Sequence, residues 1–166
     1  MFVDAFRAAT MLRERKLEAF ETLSSTPVAF HYINDGHHLH CSHPTIELTS
    51  SLPDSSSDEL PIAHINYSPP FQAPLALSTP TSFYQAIGDF ARILTKPELT
   101  FNYLLKEGDA VIFDNRRVLH ARTAFRDREG GHGETNRWLK GCYLEADALL
   151  DRRRMLKTRM EKGEFT

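Results

Sequence analysis

The sequence predicts one domain over residues 1–166, mainly β with flanking helices, of the antiparallel barrel or jelly-roll kind. Three observations carry this. Short apolar or alternating runs bounded by turn residues recur through the middle of the chain, helical periodicity is confined to a few stretches, and no P-loop or GxGxxG signature marks a parallel nucleotide-binding sheet.

At the front, Phe2, Val3, Phe6, Ala9, Leu12, Leu17, Phe20 and Leu23 recur mostly at three- and four-residue steps, predicting amphipathic helix from Met1 to Leu23. Arg13-Glu14-Arg15-Lys16 interrupts the stripe and predicts two shorter helices joined by a charged turn, and Pro27 ends the second. Val28–Ile33 reads as a strand closing at Asn34-Asp35-Gly36, with Thr45–Thr49 as a second strand and the histidine-rich stretch between them as hairpin loop. Ser50–Glu59 reads as a polar loop, and Ile62–Asn66 returns to the sheet before Ser68-Pro69-Pro70. Thr79 or Thr81 can cap a helix over Ser82–Leu94 whose apolar face is Phe83, Ile87, Phe90, Ala91 and Leu94. Leu99–Leu105, the apolar run Ala110–Phe113 and Trp138–Leu144 read as further strands, and a last helix starts near Asp147.

A chain of 166 residues suffices for one domain burying roughly 68–70% of its unfolded surface. With 41% hydrophobic and 25% charged residues and a formal net charge of -2, the balance suggests neither nucleic acid nor a membrane surface as partner. The basic cluster Arg152-Arg153-Arg154, Lys157, Arg159 and Lys162 is interleaved with acids and reads as a solvated helix end. Two distant cysteines, Cys41 and Cys142, require no disulfide, and neither an 18-residue apolar run nor a secretory h-region is present. Cytoplasm or mitochondrial matrix is the expected location.

Three groups of residues could carry chemistry. His120 follows Ala110–Phe113 and the polar step Asp114-Asn115-Arg116-Arg117, so it can project into a barrel mouth, where imidazole suits ferrous iron. Arg137, on the following strand, offers a guanidinium that can grip a carboxylate through two parallel hydrogen bonds, or form a surface ion pair. The run His37-His38-Leu39-His40-Cys41-Ser42-His43 has zinc-type donors, though crowded into one segment, unlike the separated ligand pairs of structural zinc sites.

Glu107–Leu156 resembles the C-terminal part of the gamma-butyrobetaine hydroxylase and trimethyllysine dioxygenase group, within the taurine dioxygenase-like Fe(II)/2-oxoglutarate oxygenases. The resemblance is carried by Gly108-Asp109, by Phe113-Asp114-Asn115-Arg116-Arg117-Val118-Leu119-His120-Ala121-Arg122, by Arg137, by Gly141-Cys142-Tyr143 and by Arg153 to Leu156. More loosely, Asp4-Ala5-Phe6, Pro27-Val28 and Asn66-Tyr67 extend it toward the front. It implies a double-stranded β-helix, Fe(II) as cofactor and 2-oxoglutarate as co-substrate. It further implies His120 as the distal metal ligand, Arg137 as the 2-oxoglutarate anchor, and Tyr143 and Asn66 as substrate contacts for a small quaternary-ammonium compound of the kind used in carnitine biosynthesis.

The sequence departs from that pattern at one point. The proximal His-x-Asp pair occurs nowhere among the 166 residues, and His132-Gly133-Glu134, the nearest spelling, sits in a glycine-rich loop after the distal histidine. The expectation is therefore a C-terminal portion of an oxygenase domain that is inactive alone. A rival reading is a non-catalytic binding or assembly module that keeps an anion pocket around Arg137 or completes itself as a homo-oligomer.

Overall fold

Phe2–Asp4 is a strand (β1), not the first turn of the helix that the apolar spacing predicts. The computed structural model, which describes residues 1–50, 60–122 and 139–164, shows why. Asp4 has extended backbone, and its carboxylate accepts hydrogen bonds from the Phe6 and Arg7 N–H groups at 3.1 and 3.2 Å, so the helix begins only at Ala5. Helix α1 spans Ala5–Arg15 and α2 Leu17–Ser25, with the break at Lys16 inside the expected charged stretch. Lys16 turns outward and pairs with Asp89 at 2.7 Å, which ties the break to a later helix.

The hairpin forms at the expected turn but with a different second strand. β2 (Pro27–Asn34) pairs in continuous register with β3 (His37–Pro44), from Pro27↔Pro44 to Asn34↔His37. Asp35 and Gly36 both take positive φ, 50° and 76°, the two-residue turn whose twist matches the strands it joins. The histidine-rich run is thus strand and not loop. Residues Ile46–Leu48 (β4) pair instead with Ile62–Ile65 (β5), antiparallel and with a register shift between Glu47 and Leu48.

Helix α3 (Thr81–Leu94) buries Phe83, Ala86, Phe90, Ile93 and Leu94. Neither threonine caps it: Pro80 occupies the cap position without a side-chain hydrogen bond, and its fixed φ of -68° serves the helix entry. α1, α2 and α3 pack on one another and on β4 and β5 around Leu12, Phe20, Leu23, Val28, Ile46, Ile65, Phe83 and Phe90. On this core lies a three-stranded antiparallel sheet in the order β6-β1-β7, where β6 is Thr100–Phe101 and β7 is Val118–His120. The N-terminal strand is its central member.

Three expected strands are cut short or absent among the described residues. Only Thr100–Phe101 of Leu99–Leu105 is strand, and Ala110–Phe113 pairs with nothing, leaving Ile112 87% exposed. Residues 139–144 likewise form no strand among the described residues, Trp138 lies outside them, and so do residues 51–59 of the expected loop. The chain divides into two units, Met1–Thr123 and Ala124–Thr166. In the second, α4 (Ala146–Glu161) buries no residue, as its charge pattern predicts. The described residues thus form four α-helices and three small antiparallel sheets, with no closed barrel among them. No described helix is long and apolar enough to cross a membrane.

Candidate functional site

Strand alternation decides where His120 points. Leu119 packs against the core and sits opposite the buried Val3, so Val118 and His120 project from the other face of β7. On that face an open cleft of about 380 Å³ is lined by Phe2, Phe101, Tyr103, Asp109, Val111, Phe113 and Val118, among others. Phe2 is the cross-strand partner of His120. The Phe113 ring lies 4.9 Å from the imidazole at 60°, and meets Phe2 edge-on at 5.4 Å. His120 is exposed and its ring stands beside an aromatic wall.

The segment leading into β7 is fixed residue by residue. Asp114 accepts the Arg116 N–H on its side chain at 2.9 Å and the Val118 N–H on its carbonyl at 2.8 Å, which makes the turn. The Arg116 carbonyl accepts from the Ile65 N–H at 2.8 Å, and its guanidinium lies 2.9 Å from His64 Nε2. The Arg117 carbonyl accepts from the Ala5 N–H at 3.0 Å, while its guanidinium grips Asp4 at 2.8 Å through Nη2 and 3.4 Å through Nε. Asp114, Arg116 and Arg117 thus place the histidine; they do not line the cleft.

Asp4 therefore serves both the start of α1 and the hold on β7. Burial pushes its carboxyl up, but the hydrogen bonds from Arg117, Arg7 and Phe6 and the charge of Arg117 outweigh it, so the net displacement is downward. A lowered folded-state value means that the stabilisation is complete above the ordinary carboxylate range and is lost as pH falls below about 4. Asp4→Asn is expected to keep the cap and lose the ion pair, which at this exposure is worth about 0.2–1 kcal/mol. Asp4→Ala is expected to lose both, about 1–2 kcal/mol in all. Thermal melts of the three proteins at pH 7 and pH 3 check this: the gap between wild type and Asp4→Asn should close at the lower pH.

Asp109 is the one carboxylate lining the cleft among the described residues, and it is engaged. It accepts from the Tyr103 hydroxyl at 3.1 Å and the Lys106 N–H at 2.8 Å, closing the turn at Gly108, whose φ is 88°. Its hydrogen bond and charge push the Tyr103 hydroxyl up, holding the phenol protonated. Among the described residues no group of three or more His, Cys, Asp or Glu side chains is placed to hold a metal ion. His120 supplies one imidazole, so the described residues alone do not make an iron site.

Asn66, another sequence-derived candidate, does not line the cleft. It follows β5, and its side-chain amide donates to the Pro44 carbonyl at 3.0 Å and to Glu47 Oε2 at 3.1 Å. Glu47 also faces His43 and His64 at 3.5 and 3.6 Å. Burial acts to raise the Glu47 carboxyl, but Asn66 and the two histidines prevail and hold it low. Tyr143 belongs to the second unit and is 88% exposed. Arg137, His132 and Glu134 lie outside the described residues. The cleft aromatics Phe2, Phe101 and Tyr103 were missed in the sequence, where Phe2 is read as helical; the register Phe2↔Phe101 that unites them joins distant segments.

Comparison with known proteins agrees with the motif around His120. The family model of the taurine catabolism dioxygenase TauD, TfdA family matches residues 1–143. The chain is 50% identical to Dioxygenase str8 of Strobilurus tenacellus over 95% of its own length and 36% of that protein's. It is 34% identical to a gamma-butyrobetaine dioxygenase of Pseudomonas sp. (strain AK-1), over 91% of the chain and 37% of the relative. To the human gamma-butyrobetaine dioxygenase it is 31% identical, over 97% and 40%. The chain thus spans well under half of each of these relatives. With the match running from β1 through the His120 strand and into the second unit, this chain belongs to the TauD/TfdA dioxygenase family.

Proposed function

We propose that the chain carries the distal part of an Fe(II)/2-oxoglutarate-dependent dioxygenase site on a partial double-stranded β-helix. In this reading His120 is a metal ligand and Arg137 anchors the distal carboxylate of 2-oxoglutarate through paired, charge-assisted hydrogen bonds. One observation carries it: within a family-matched chain, His120 stands exposed beside the aromatic wall of a cleft, on a strand whose preceding residue, Leu119, packs against the core. Iron, when bound, supplies the oxidising chemistry, and the protein orients the substrate and excludes water.

The proposed substrate is a small quaternary-ammonium compound of the gamma-butyrobetaine class. Two of the relatives carry that name, and the faces of Phe2, Phe101, Tyr103 and Phe113 offer cation–π attraction of about 0.5–2 kcal/mol. Tyr143 and Asn66 are proposed as further contacts; with its amide N–H groups turned to Pro44 and Glu47, Asn66 would present its carbonyl oxygen.

Because these 166 residues contain no His-x-Asp, we propose that they do not turn over 2-oxoglutarate by themselves. Succinate release with added Fe(II) and gamma-butyrobetaine tests this. The isolated 166 residues should give none above the blank, and the longest polypeptide of the source that contains them should give succinate coupled to hydroxylation. In that polypeptide Arg137→Ala should raise the KM for 2-oxoglutarate by about tenfold or more, the loss of a charged hydrogen-bonded pair. Turnover by the isolated chain would overturn the incomplete-site reading, and an unchanged KM would remove Arg137 from the anchor role.

A further inference from the structure

Three imidazoles on the outer hairpin have no part in the site described above. Side chains two residues apart on a strand share a face, so His38 and His40 of β3 lie together, and His31 of β2 stands directly opposite His40 in the register. His37, Cys41 and His43 fall on the other face. The two sets also differ in engagement. His43 faces Glu47 at 3.5 Å, whereas the side chains of His31, His38 and His40 enter no hydrogen bond or ion pair among the described residues. His38 and His40 are exposed and His31 is half-buried.

We propose that His31, His38 and His40 form a binding site for a borderline divalent cation, zinc above all, independent of the dioxygenase reading. Directly opposed residues have Cβ atoms about 4.5–5.5 Å apart, and same-face neighbours along a strand are separated by about 6.6 Å. Nitrogen donors at about 2.0–2.1 Å from a tetrahedral zinc sit roughly 3.3 Å from each other, a separation that rings on such positions reach by rotating inward. In their present rotamers no three donors converge, so the site closes on binding and does not stand preformed. The backbone needs no movement: the strands are paired from end to end and the Asp35-Gly36 turn fixes their register. Only side-chain freedom is lost, and water completes the coordination.

Calorimetric titration of the whole chain with zinc chloride at neutral pH should show one zinc per chain. Binding should be lost in His31→Asn, His38→Asn and His40→Asn, and kept in His37→Asn, His43→Asn, Cys41→Ser and His120→Ala. In the wild-type protein, the imidazole proton resonances of residues 31, 38 and 40 should shift together on titration while those of the other histidines stay in place. The absence of a saturable event, its retention in the three same-face variants, or an equal partial loss in every histidine variant would overturn the site. The last outcome means adventitious surface binding only.

Discussion

His120→Ala is expected to abolish 2-oxoglutarate turnover, by at least about 100-fold, in a polypeptide that holds the complete proposed iron site, while the melting temperature hardly changes. The magnitude is a lower bound, since removing even a group that only supports a metal ligand costs about 10–100-fold. The unchanged stability follows from how the strand is held. β7 is fixed by backbone and neighbours: Leu119 in the core, Arg117 on Asp4, the Arg117 carbonyl on the Ala5 N–H at 3.0 Å and the Ala121 N–H on the Met1 carbonyl at 3.0 Å. The imidazole itself is exposed, where truncation changes stability by about 0.5 kcal/mol or less. Succinate release measured beside a thermal melt separates the two effects. Retained turnover would remove His120 from the metal's coordination, and a large drop in the melt would make it a structural residue.

Phe90→Ala is expected to be the opposite case, harming the fold without touching the cleft. Phe90 is 0% exposed on the inner face of α3, where its ring meets Tyr67 edge-on at 5.8 Å. Truncating a buried phenylalanine costs about 3–5 kcal/mol, because the lost transfer energy is joined by a cavity that the neighbours only partly fill. Against a total stability of about 5–15 kcal/mol that is a large share, and the melting temperature should fall on the order of 10 °C. Urea unfolding checks it, with the midpoint lowered at constant slope. A loss under about 1 kcal/mol would mean that α3 is not packed as the structure has it.

The helices were legible in the sequence because their period is local. The spacing of Phe83, Phe90 and Leu94 names the buried face of α3, and the charges around Lys16 mark the break between α1 and α2. Strands were less legible, because a strand is defined by its partner. Phe2, Val3 and Phe6 fit a helical stripe as well as a strand followed by a helix, and what separates the readings is the Asp4 cap and pairing with Thr100–Phe101 and Val118–His120. His37–Pro44 lacks an apolar alternation and is strand because the Asp35-Gly36 turn lays it along β2. Ala110–Phe113 is apolar enough for a strand and finds no partner among the described residues. At the site, the resemblance singled out His120, whereas the Asp4–Arg117 grip that holds its strand joins residues too distant for any local pattern.

The central place of β1 also sets an order of events during synthesis. Phe2 leaves the ribosome roughly 100 residues ahead of its partners, Phe101 and His120. At about 5–20 residues per second the strand waits roughly 5–20 s for the first of them. Throughout that interval the apolar side chains of Phe2 and Val3 have no sheet to join, and α1, α2 and α3 can already associate without them. The three-stranded sheet is therefore the last part of the first unit to close, and a chaperone that shields this strand would act during the delay.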